Sequence, residues 1–185
     1  DGLKPSQRRI LLAMNDLDDW SVERQELARW AQRVEHEVAG IPCGIMDQTA
    51  SLQCTAGHVL FMDTRSQERV QVPWPDPATG FALLVTNTNA PHMLVDGQYA
   101  DRRRQCEEAT AVLGVPSLRD ASLADLDGAA GRLTPDQAAC ARHVISENAR
   151  VLRTRDLLAS GQAMELGPEL TASHVSLRDD FRVTV

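Results

Sequence analysis

The stretch Gly40-Ile-Pro-Cys-Gly44-Ile-Met-Asp47-Gln48 sets two glycines and a proline just ahead of a carboxylate. Gly and Pro at this spacing predict a turn, and a helix is expected to begin near Asp47. A carboxylate delivered rigidly to a helix start can face a ligand, and there it can accept a hydroxyl proton during phosphoryl transfer. The same position also suits a plain helix N-cap. Both readings stand on this stretch alone.

Upstream, residues 22–38 carry Leu27, Ala31, Val34 and Val38 as one stripe, which predicts an amphipathic helix leading into the turn. Further upstream, Ile10, Leu11, Met14 and Leu17 recur at helical spacing over 6–18, after Lys4-Pro5-Ser6. Downstream, His58–Met62 and Arg69–Trp74 read as short strands around a polar turn. Phe81–Thr86 is almost wholly apolar, as expected of a strand buried on both faces. Beyond Asp96 the pattern is helical, over 97–113, from Thr134-Pro135-Asp136 to about Leu158, and over 162–178 with a kink or restart at Pro168. Short strands in the first half and helices in the second predict an α+β fold.

Composition narrows the function classes. The 185 residues are 43% hydrophobic and 24% charged, enough for one sizeable packed domain. A net charge of −7 argues against a general nucleic-acid or anionic-membrane binder, both of which want a basic face. No apolar run approaches the ~18 residues of a membrane span. Cys43, Cys54, Cys106 and Cys140 are scattered without a CxxC pair, so reduced thiols in a cytoplasmic protein are expected rather than a zinc site or disulfide framework.

Longer motifs flank the turn. Glu26–His36 followed by Val38–Gln48, then Gly57–Ser66 with its Asp63-Thr-Arg65 turn, resemble consecutive blocks of galactokinases of the GHMP kinase superfamily. Thr86–Asn89 with His92 and Gly97–Arg103, then Arg142-His143-Val with Glu147-Asn148, then Ser173–Asp180, continue the resemblance in order. It covers about 160 residues, within residues 22–185, and implies a partial GHMP-kinase-like fold.

That resemblance implies roles. Asp47 corresponds to the catalytic carboxylate facing the anomeric hydroxyl of galactose, Gly44 to a position beside the sugar, and Tyr99 to a tyrosine that hydrogen-bonds it. Tyr99 has a second reading, as a residue of a helix surface. ATP and Mg are the implied cofactors, and galactose or a related sugar the implied partner. His174 with Asp179 and Asp180 reads either as an acid/base or metal pair or as helix-terminating hydrogen bonding. Arg102–Arg104 reads as a solvated helix face or a phosphate clamp. His36, His58, His92 and His143 show no tight metal-ligand spacing.

Other expected motifs are not in the sequence. The Gly-Glu-His-x-Asp block of that family, its Gly- and Ser-rich phosphate loop and its C-terminal Gly-rich motif do not occur. Without backbone N–H groups to cradle a triphosphate, the expectation is a catalytically incomplete kinase segment. Residues 1–17 instead resemble the opening of the breakage-reunion domain of type IIA topoisomerase A subunits. The implied organisation is an opening segment over 1–21 joined to a galactokinase-like segment over 22–185, as in a chimera. The competing function is a non-enzymatic interaction protein that self-associates or binds a partner chain through exposed apolar surface.

Overall fold

The computed structural model describes residues 22–40, 43–80, 82–87, 89 and 98–184. The helix expected over 6–18 and the 1–21 segment lie outside them. Two compact units meet in sequence at Trp74 and Pro75.

In the first unit, α1 (Arg24–Glu37) and α2 (Met46–Gln53) precede a hairpin of β1 (His58–Met62) and β2 (Arg69–Pro73). The two helices pack against each other. The buried face of α1 is Ala28, Ala31 and Glu35, so the stripe is rotated from the expected one. Val38 falls just past the helix end and is 80% exposed. Small alanines let α2 approach closely, and the acid on that face has its own hydrogen-bond donor, described below. Gly40 takes φ +66, the left-handed backbone that suits a glycine after a helix.

The hairpin is antiparallel, with Leu60 opposite Gln71. Its turn is built by Asp63, whose Oδ1 accepts from the backbone N–H of Arg65 at 2.8 Å and of Ser66 at 3.1 Å. An Asp that bonds the backbone two residues on is the usual device for such a turn.

In the second unit, residues 82–87 form no strand, and Leu83, Leu84 and Val85 are 77%, 86% and 85% exposed. A strand needs a ladder partner, and no described residue pairs with this run, so hydrophobicity alone does not make it one. The rest is helical: α3 (Gln98–Leu113), α4 (Leu123–Gly128), α5 (Pro135–Ala159) and α6 (Leu166–Asp179), with single 3-10 turns at Leu118–Asp120 and Ala163–Glu165. The core joins Ala109 of α3 to Ala141 and Ile145 of α5, with Leu118 and Leu126 closing it.

Local chemistry sets the helix ends. Thr134 Oγ1 accepts from Gln137 N–H while the Gln137 amide oxygen accepts from Thr134 N–H, with Pro135 at the first helical position. Pro168 sits in the first turn of α6, where no intrahelical N–H is required, so the helix restarts there rather than kinks. Among the described residues no helix is long and apolar enough to cross a membrane.

Candidate functional site

The site begins with α1 and ends on the first turn of α2. Three α1 side chains converge on one residue of the connecting turn, Cys43. Its backbone carbonyl accepts from Gln32 Nε2 at 3.2 Å and lies 2.8 Å from His36 Nε2. Its thiol donates to Glu35 Oε2 at 2.8 Å. Burial, with the Glu35 carboxylate beside it, pushes the Cys43 thiol above its ordinary range, which keeps it protonated as the donor.

Gln48 holds the turn from the α2 side. It is 1% exposed, and its amide nitrogen faces Gly44 O at 3.2 Å and Ile45 O at 3.3 Å. The nitrogen is assigned to that side because the oxygen would otherwise oppose two carbonyls; the amide's other atom is 3.6 Å from Cys43 Sγ.

Gly44 and Asp47, both expected to carry function, lie together on this turn and are exposed. Ile45 is the N-cap of α2, and Asp47 is the second helical residue. The N-cap reading of Asp47 therefore fails: the cap is Ile45, two residues earlier, with no side-chain capping bond. Its charge sits in the first turn, where the helix dipole favours a carboxylate. Gly44 does not have the left-handed backbone, and a Cβ there would meet no described atom within 4 Å. Among the described residues neither conformation nor packing explains a glycine at this point.

Tyr99 is the second residue of α3; its side chain, like His92, lies outside the described set. It belongs to the second unit, whereas Gly44 and Asp47 belong to the first. Neighbouring Arg103 and Arg104 pair along the helix with Glu107 and Glu108, as a solvated face does.

His174 is exposed. Asp179 pairs with Arg178 at 2.7 Å, and Asp180 Oδ2 accepts from Ser176 Oγ at 2.8 Å. Ser176 Oγ in turn lies 3.0 Å from Nδ1 of buried His143, whose ring stacks at 4.5 Å on Phe181. The serine stands between histidine and aspartate, so this is a structural tie from α5 to the end of α6 and not a nucleophile activated by a histidine. Burial holds His143 below the ordinary histidine range. Among the described residues no three metal-ligating side chains cluster.

Glu35, Gln32 and Gln48 were not singled out by motif. One signal was present: Glu35 lies seven residues after Ala28 and four after Ala31, a carboxylate on the face that packs. Such an acid needs a donor nearby.

Over the whole chain the fold is similar to that of a crystal structure of Lactococcus lactis galactokinase complexed with galactose, with a TM-score of 0.82 at 27% identity over 49% of that chain. The mixed helices and small antiparallel sheet thus form part of a GHMP-kinase fold. Residues 9–54 match the model of the GHMP kinases N terminal domain, which starts within the 1–21 segment. In sequence the chain is galactokinase-like. It is 46% identical to the galactokinase of Streptomyces coelicolor over 95% of its own length and 46% of the relative's. It is 42% identical to that of Homo sapiens over 85% of its length and 40% of the relative's. The chain spans about half the length or less of the curated relatives it matches.

Proposed function

We propose that this chain carries the sugar side of an ATP-dependent galactose kinase. The observation that carries the reading is the exposed turn holding Gly44 and Asp47, fixed from both flanking helices. Among the described residues nothing crowds Gly44, which leaves room for a ligand to approach its backbone. Galactose would lie against Gly44, with its anomeric hydroxyl toward Asp47.

In that arrangement Asp47 accepts the hydroxyl proton as the sugar oxygen bonds to the γ-phosphorus and the bond from that phosphorus to the departing ADP oxygen breaks. ATP with Mg would supply the phosphoryl group and neutralise its charge. Mg held by one or two carboxylates and the phosphates needs no three-residue protein cluster. The chain's own motifs offer the acceptor side of the reaction and no phosphate cradle, in a cytoplasmic setting. The 185-residue polypeptide is therefore expected to bind galactose without turning it over. An ADP-release assay with ATP, Mg and galactose should stay at background, while calorimetry with galactose gives saturable heat. Turnover that is abolished by Asp47→Asn would overturn the incompleteness and retain the base; no galactose heat would overturn the sugar side.

A second reading draws on the exposed Leu83-Leu84-Val85 run. An extended apolar run without a ladder partner is a pairing surface for another chain. Under this reading the protein self-associates, and light scattering distinguishes a defined dimer from a monomer.

A further inference from the structure

We propose that His36 is a positioning residue for the sugar-side turn, holding Gly44 and Asp47 in place through the Cys43 carbonyl. This inference rests on the reading of that turn as the galactose site.

Among the described residues the connection between α1 and α2 has little backbone bonding of its own. Val38 and Ala39 N–H both donate back to Val34 O, and Thr49 N–H donates to Ile45 O. Among the described residues, the carbonyls of Cys43 and Gly44 receive side chains and no backbone N–H. A carbonyl has two lone pairs. At Cys43 both are used, by Gln32 and His36, which lie four residues apart on one face of α1.

Of the two, His36 is the shorter contact, 2.8 Å against 3.2 Å, and comes from a rigid ring. It is also exposed, so this bond is not a by-product of burying a polar group. A solvated histidine contributes little to a core. What it does here is fix where the residue before Gly44 sits, and hence where α2 starts and Asp47 projects. Displacement of a reacting group by about 1 Å is enough to lose about a hundredfold in rate, so a tie of this kind matters more to the site than to stability.

The test uses the full 185-residue chain as wild type, His36→Ala and His36→Gln. Backbone 15N relaxation is measured from Gly44 to Gln48, and galactose is titrated into each. Wild type should give order parameters of about 0.85 there, falling toward 0.6 in His36→Ala, with an unchanged thermal midpoint. Galactose binding should weaken about tenfold in His36→Ala. In His36→Gln, whose amide nitrogen can reach the same carbonyl, both should recover. Unchanged relaxation and affinity in His36→Ala overturn the proposal, as does a His36→Gln variant no better than His36→Ala. If wild type binds no galactose, the functional reading fails by itself. The relaxation comparison then still decides whether His36 orders the turn, and unaltered order in His36→Ala overturns it.

Discussion

The Cys43 thiol donates a 2.8 Å hydrogen bond to Glu35 Oε2, which joins the turn ahead of Gly44 to the packed face of α1. A thiol so placed is a poor nucleophile, because the thiolate is the reactive form and both burial and the carboxylate oppose it.

Alkylation with iodoacetamide at pH 8 should therefore modify exposed Cys54 well before Cys43. Cys106, pushed up to about 11 by burial and then by its Cys140 neighbour, should react more slowly still. Glu35→Gln should raise the Cys43 rate. Peptide mapping by mass spectrometry reads all three, and fast labelling of Cys43 in wild type would contradict the thiol–carboxylate bond.

Gly44→Ala separates fold from function. No described atom lies within 4 Å of a Cβ at Gly44, so stability should shift by no more than about 0.5 kcal/mol. Galactose binding should drop at least tenfold, because the methyl group occupies the proposed sugar approach. Chemical denaturation and calorimetry on the same samples provide both numbers.

His143 links pH to the stability of the second unit. Burial lowers its folded-state pKa below the ordinary 6.5, outweighing Glu147 and Asp180, which raise it; Arg150 adds to the lowering. The unfolded chain then binds the proton more readily, so the stability contribution is present above 6.5 and is lost as pH falls from there through the lowered folded value. Urea midpoints at pH 7.5, 6.5 and 5.5 should decline, and His143→Gln should flatten that decline above the carboxylate range.

The α3–α5 crossing depends on small side chains. Ala109 and Ala141 are both fully buried, so Ala141→Leu should destabilise the unit by about 1–3 kcal/mol through overpacking. Leu126→Ala should cost about 2–5 kcal/mol by leaving a cavity. Thr134→Ala, which removes the α5 cap, should cost about 1 kcal/mol.

Local signals proved legible where local chemistry decides. Thr134-Pro135 and the Asp63 turn did what their side chains dictate. The helix start after Gly44 was also readable, although the cap fell on Ile45 rather than Asp47. Phe81–Thr86 shows the opposite case, for a strand is a property of a pair and no described residue pairs with 82–87. The hold on Cys43 was hidden for a similar reason. Gln32, Glu35 and His36 lie 11, 8 and 7 residues away, and no spacing rule says which side chains a chain reversal brings back. The pairing of His143 with Ser176 spans 33 residues and has no local trace at all.

The most direct measurement is a galactose titration of the 15N-labelled chain, following the amides of Gly44, Ile45, Met46 and Asp47. Saturable shifts at these positions, weakened in Gly44→Ala and altered in Asp47→Asn, are the expected result. No shift in wild type at saturating sugar, or an equal response in Gly44→Ala, would contradict the assignment of this turn as a sugar site.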